Sequence, residues 1–483
     1  MPCLKIYCNR LALFMKFYPV AEKDIIWFGE VIEGLNTLKK IKELKLTKAI
    51  GIKTTENNTN IETEKSTDKV TVNAAVLVEE YENILKRIGC GKWRFSEANF
   101  NYNLCPSYSR IQLIPESISD TVLLHASRFR VQNRFPLLAN IYKGKALIRS
   151  GQPLVGLTQR RCVQDEKLIE AIKNNCGDGN GKLLIVDARP STSAFANTLI
   201  GAGIERLECY EGSERIYLNL ENIHTIRESH DRLCHQIKII SASNSESPRS
   251  LWIEVEEGSA WLDHLRGILE GTRKIVEAMS ESNSHVLVHC SDGWDRTSQL
   301  ISLCQLCLFP EYRTKKGFKL LILKDWLSAG HRFSDRNSHR TRIANNSRIA
   351  SAAVTKNPWN SIKNFFQDDQ QAEDSTPTEA EECPIFLQFI EATVQLCRQF
   401  PLDFGELTDE FLLGIVDDAY EGTRESKYFG NCEAERINYE DSKNDNIDSL
   451  PLLGITETDH VVVLPRAERS KMILWPAYYK RYF

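Results

Sequence analysis

The chain has 483 residues, 42% hydrophobic and 26% charged, with a net charge of −4 at neutral pH. That is long enough for a large core and more than one domain, in a composition ordinary for a soluble globular protein. The small negative excess gives no overall electrostatic basis for nucleic-acid binding, so any anion site must be local. No apolar run approaches the ~20 residues of a membrane span, and Leu11–Phe17, interrupted by Lys16, is too short for a signal peptide.

Residues 1–50 read as a mixed, partly helical segment, and 53–70, rich in Thr, Asn, Glu and Lys, as a linker. Ala75–Ile88 carries apolar residues three and four apart and predicts an amphipathic helix. The glycine-rich Cys176–Gly181 lacks the Gly-Lys-Ser/Thr ending of a nucleotide loop and reads as a surface turn. Lys182–Asp187 is a short buried strand ending in Asp187-Ala188-Arg189-Pro190. Trp261–Met279 is helical, His285–His289 is a second buried strand, and Thr297–Phe309 is a helix apolar nearly all round. Residues 337–382 are polar and read as a mobile insertion, and Tyr439–Ser449 as a polar loop. Pro384–Phe400 and Phe411–Tyr420 return to helical spacing, and the chain closes on an aromatic cluster from Trp475. Strands interleaved with helices predict an α/β domain with a largely parallel central sheet flanked by helices.

The 14 cysteines are scattered, and several sit inside apolar segments, which fits buried thiols in a reducing compartment. Cys304 and Cys307 form a C-x-x-C pair in mid-helix with no second pair at zinc spacing, so core packing is the favoured reading. No metal site and no cofactor are implied.

The chemistry concentrates in His289-Cys290-Ser291-Asp292-Gly293-Trp294-Asp295-Arg296-Thr297. A cysteine follows a buried strand, an arginine follows it after five residues, and a helix begins there. Such a turn can cradle a phosphoryl group with inward N–H groups and the positive helix end. The helix end and Arg296 would favour a Cys290 thiolate able to attack phosphorus. Arg296 would grip two phosphoryl oxygens, and Ser291 to Arg296 would supply backbone donors. Gly293 allows close approach. There is no Trp-Pro-Asp loop, so the proton for the leaving group must come from within the loop. Asp295 is the expected general acid and activator of water, and Asp292 is expected to orient the loop or contact ring hydroxyls. His289 is expected to shape the loop, and Trp294 to pack it in preference to touching lipid. Arg128, Arg130 and Arg134 form a basic cluster, read as a solvated face ahead of a membrane-facing patch.

The motif resembles the active-site signature of the myotubularins, phosphoinositide 3-phosphatases of the cysteine-phosphatase superfamily. Similar stretches include Asn103–Tyr108, Gly151–Gly156, Asp187–Pro190, Asn222–His224, Tyr312–Thr314, Asp325–Leu327, Gly330–Phe333, Phe386–Phe389 and Leu474–Tyr479. The resemblance covers about residues 75–480 and implies a cysteine-phosphatase-like fold. It implies a substrate too: phosphatidylinositol 3-phosphate or 3,5-bisphosphate, losing the 3-phosphate through a phosphocysteine. Carried across, Asn197, Asn222 and Ile223 would line the headgroup pocket. Arg332 and Arg336 would bind the second or the diester phosphate, against the plainer reading of a solvated basic turn. The family's N-terminal PH-GRAM-type module would be truncated or degenerate in residues 1–74, and no coiled coil or zinc finger follows. The expected partners are phosphoinositide headgroups on membrane surfaces and, by analogy, a homo- or heterodimer with relatives. The expected place is cytoplasmic, peripheral on endosomal or similar membranes. A catalytically dead scaffold and a protein-tyrosine phosphatase are the competing readings. The presence of Cys290, Asp295 and Arg296 argues against the first, and the missing Trp-Pro-Asp loop against the second.

Overall fold

A computed structural model describes residues 72–88, 92–177, 181–242, 253–256, 258–337, 381–420, 429–434 and 461–482. The chain divides into two units, Met1–Ala75 with Asn446–Pro451, and Val76–Asp445 with Leu452–Phe483. Only residues 72–75 of the first are described, so the expected N-terminal module and linker lie outside the described residues. So do residues 439–449 and nearly all of the 337–382 segment.

The described elements begin with α1 (Val72–Ile88) and an antiparallel pair, β1 (Trp93–Ser96) and β2 (Gln112–Pro115). They continue through α2 (Asp120–Ser127), β3 (Leu137–Tyr142), β4 (Lys145–Ser150), α3 (Val163–Asn174), β5 (Leu183–Asp187), α4 (Ser191–Leu199) and β6 (Ser213–Tyr217). Then come α5 (Ile223–Ala242), α6 (Ala260–Ser280), β7 (His285–His289), α7 (Arg296–Leu308), α8 (Lys315–Ile322), α9 (Ile385–Gln399) and α10 (Asp409–Tyr420). Each helix expected among the described residues is present, and β7 has the bounds its sequence predicts. The architecture is α/β around a mixed five-stranded sheet of order β3-β4-β7-β5-β6. β4, β7, β5 and β6 pair in parallel, and β3 adds to the edge antiparallel.

Register explains why this sheet makes a site. Leu287 lies opposite Ile148 on one side and Ile185 on the other, and all three join the core beneath α2 and α3. The intervening Val286 and Val288 are equally buried and turn to the opposite face, where α6 and α7 pack. A strand buried on both faces must be a continuous apolar run, and His285–His289 is one between its two histidines. The same register aligns the carboxyl ends: Ser150 and Asp187 both lie opposite His289. Ligands of parallel sheets bind beyond such an edge.

Behind the edge, α7 is buried along its length, Thr297 to Leu308 without a break. Cys304 and Cys307 lie fully buried in it, the core role expected of them. Replacing Leu303, fully buried on this helix, by alanine should lower the unfolding free energy by about 2–5 kcal/mol in urea titration. A loss below about 1 kcal/mol would show that α7 is not the packed spine of the domain.

Candidate active site

The loop leaving β7 closes around its own sulfur. The Gly293 N–H donates to Cys290 Sγ at 3.3 Å, and the Thr297 hydroxyl donates to it at 3.2 Å. Two donors are aimed at one sulfur, and α7 begins beside it at Arg296. The sulfur is nearly buried, with 2% of Cys290 exposed.

Gly293 is required twice over. Its φ is +82°, and a Cβ there would lie 2.2 Å from the Ser150 carbonyl oxygen. The carbonyl of Gly293 is held from behind by Arg134 Nη2 at 2.9 Å and Arg149 Nη2 at 3.1 Å. Arg149 also donates to Ser298 Oγ and the Asp325 carbonyl, and Arg134 to the Ala329 carbonyl. Both arginines are buried.

A second buried network fixes the loop's root. His289 places one ring nitrogen 3.0 Å from the Cys290 carbonyl and the other 3.1 Å from Glu205. Both partners are acceptors, which favours a doubly protonated ring. Burial opposes that charge, but Glu205 outweighs burial and holds the His289 pKa above its ordinary value. Glu205 in turn receives Arg130 at 2.6 Å, and Arg130 forks onto Asp165 at 2.7 and 2.9 Å. Burial would raise the Glu205 pKa; His289 and Arg130 reverse it and hold the carboxylate well below its usual range.

The expectation of a solvated Arg128–Arg134 face therefore fails for two of its members. Arg130 and Arg134 are fully buried, spent on the loop's framework; only Arg128 is exposed. The sequence signal for this was weak, since burial follows from carboxylates 35 and 75 residues away. Trp294 is buried, with the guanidinium groups of Arg134 and Arg332 over its ring at 5.6 and 5.3 Å. Its carbonyl receives His331 Nδ1 at 2.8 Å.

The two aspartates of the loop meet opposite surroundings. Asp295 is paired with Arg336 at 3.2 Å and faces His331 at 3.2 Å. Burial would raise its pKa, yet Arg336 and His331 hold it well below the usual carboxylate range. Asp292 has no ion pair among the described residues, and burial followed by repulsion from Asp295 pushes its pKa up to about 6.

The remaining expected residues are placed as follows. Arg296 donates to the Leu220 carbonyl at 3.0 Å and makes no ion pair among the described residues; a cleft of about 300 Å³ opens beside it. Asn197, buried on α4, donates to Gln152 Oε1 at 3.2 Å, and the Gln152 N–H donates to the Ser291 carbonyl at 2.9 Å. Arg189 donates to the same Gln152 oxygen and pairs with Asp187 at 2.7 Å. Asn222 is the N-cap of α5: its Oδ1 accepts from the His224 and Thr225 N–H groups at 3.0 and 3.1 Å. Ile223 follows it, half-buried, at the first position of α5. Arg332 is partly exposed and pairs with Asp335. Arg336 is buried between Asp295 and Glu381, which is not a solvated turn.

A family model for the myotubularin-like phosphatase domain matches residues 53–437. The chain belongs to this family. Among its relatives, a Xenopus tropicalis protein named myotubularin is 33% identical over 405 residues, covering 81% of this chain and 60% of that protein. A Rattus norvegicus myotubularin is 32% identical over 416 residues, covering 84% and 62%. A Gallus gallus protein named phosphatidylinositol-3,5-bisphosphate 3-phosphatase MTMR2 is 34% identical over 407 residues, covering 81% and 63%. The chain thus spans about 60% of the length of the curated relatives it matches. The described residues contain no helix long and apolar enough to cross a membrane, and no cluster of three or more His, Cys, Asp or Glu placed to hold a metal ion.

Family members' motif positions explain what was visible in the sequence; the arginines behind the loop were not. Removing one partner of a buried charge network leaves the rest uncompensated, at about 3–5 kcal/mol. Arg130→Ala should therefore destabilise the fold by that amount in chemical denaturation, far more than Arg128→Ala, which should lie within about 0.5 kcal/mol of the parent. Equal effects would contradict the buried framework.

Proposed function

We propose that the chain is a lipid phosphatase that removes the 3-phosphate of phosphatidylinositol 3-phosphate and phosphatidylinositol 3,5-bisphosphate through a phosphocysteine. The observation that carries this reading is the Cys290 sulfur, held by Gly293 N–H and Thr297 Oγ1 within the strand-to-helix loop of a member of this family. A relative's name specifies the 3-phosphate of the bisphosphate.

In the first step Cys290 Sγ attacks phosphorus, the bond to the inositol oxygen breaks, and that oxygen takes a proton. Arg296 and the loop N–H groups hold the equatorial oxygens as charge redistributes. A group near neutrality is needed to supply the proton, and Asp292 has that environment; Asp295 does not. This reverses the role assigned to Asp295 for the first step, because its ion pair with Arg336 keeps it ionised. As a fixed carboxylate it suits the second step, in which water needs a base before it attacks the phosphocysteine.

Substrate recognition is assigned to Asn197, Asn222, Ile223, Arg332 and Arg336. Arg332 is the more exposed of the two arginines, above Trp294 and paired with Asp335. Arg336 could meet a phosphate only by sharing its two carboxylates. Cytoplasmic placement on phosphoinositide-bearing membranes, and pairing with a relative, belong to the same proposal.

Cys290→Ser should abolish phosphate release across a phosphoinositide panel while leaving the melting temperature within a few degrees. Retained turnover would remove Cys290 as nucleophile. The parent kcat/KM should fall as pH rises above about 6, where Asp292 loses its proton. Asp292→Asn should lose that falling limb and slow lipid hydrolysis by about 10²–10⁴-fold, with little loss on an activated aryl phosphate. If Asp295→Asn gives that pattern instead, the division of roles is wrong.

A further inference from the structure

Past its exposed Ser191–Ser193 start, the outer side of α4 carries an apolar strip that is uncovered among the described residues. Ala194, Asn197 and Thr198 face inward, while Phe195 and Leu199, one turn apart, are 64% and 57% exposed. Ile200 follows at 49%, and Leu157, on the turn after β4, is 67% exposed. These two segments abut: the Gly156 N–H donates to the Ala202 carbonyl at 2.7 Å, and a Cβ on Gly156 would reach Gly201 Cα at 3.3 Å. A run of large apolar side chains on one edge marks an interaction surface more often than chance exposure.

We propose that this edge, Leu157 with Phe195, Leu199 and Ile200, docks on a phospholipid bilayer and seats the phosphate loop against its substrate. The proposal rests on the lipid phosphatase reading for the second half of that statement only.

Position and charge select a bilayer as the occupant. The inward side of the same helix reaches the loop in two bonds, Asn197 to Gln152 and Gln152 to Ser291. A headgroup that enters the loop brings its own membrane to this rim, and its acyl chains stay in that membrane. The apolar edge is bordered by Arg160, exposed and without an ion pair among the described residues. Arg206 reaches the same turn, donating to the Gln159 carbonyl at 3.1 Å, with its charge paired to Glu208 at 2.7 Å. Apolar side chains beside the Arg160 cation fit the boundary between acyl chains and anionic headgroups.

The test uses the full chain and its Phe195→Asp/Leu199→Asp double variant. Binding is read by sedimentation with phosphatidylcholine–phosphatidylserine vesicles. Turnover is read on the same vesicles carrying phosphatidylinositol 3-phosphate and on soluble dibutanoyl phosphatidylinositol 3-phosphate. The variant should sediment about tenfold less or weaker still and lose vesicle turnover in step, while turnover of the soluble lipid is unchanged. Leu157→Asp, on the other segment, should give the same split. Unchanged sedimentation overturns the proposal. So does an equal fall on both substrates, and so does a parent dimer that the variant converts to monomer, since the edge would then belong to a second copy. If the parent sediments through this edge yet hydrolyses neither substrate, docking stands and the phosphatase reading fails.

Discussion

The site depends on one glycine's backbone being held from behind. Arg134 and Arg149 converge on the Gly293 carbonyl, while the N–H of the same residue, in the preceding peptide group, points at the Cys290 sulfur. A six-residue turn without this support would have to order itself around each incoming anion and lose binding energy in doing so. The arginines bring the order in advance. Their own charge is met by carbonyls and by Asp325, so the cation behind the loop is compensated without occupying its mouth. The need for glycine at 293 has the same origin: β4's last carbonyl leaves no room for a side chain.

Charge is then sorted by distance from the sulfur. Arg130, Glu205 and His289 lie under the loop as a closed network, which sets its root and carries no group free for chemistry. The two aspartates in the loop share a backbone but not an environment. Asp295 is neutralised by Arg336 and stays ionised, and that same fixed negative charge is part of what raises Asp292. Of the two like charges in the loop, only Asp295 is given a cation, Arg336, whose second carboxylate, Glu381, ties it to the start of the segment leading into α9.

Much of the arrangement was legible in the residues themselves. A buried apolar strand, a cysteine, and an arginine before a buried helix place the elements, and β7 and α7 lie where that pattern puts them. The cysteines of α7 read correctly as core because nothing around them offered ligand spacing. The expectations that changed all turned on partners distant in sequence. Arg130 and Arg134 look like surface charge until Asp165, Glu205 and the loop carbonyls are brought to them. The ion pair of Asp295 with Arg336, 41 residues away, was likewise invisible in the sequence. Periodicity reports which face is buried; it carries no information on which charge meets which.

The most direct measurement is an acid quench of the enzyme during turnover of phosphatidylinositol 3-phosphate, followed by peptide mass spectrometry. A peptide spanning Cys290 should carry one added phosphoryl group in the steady state, and the adduct should decay when substrate is exhausted. Phosphate release with that peptide unmodified at every time point, or with the phosphoryl group on another residue, would contradict the account.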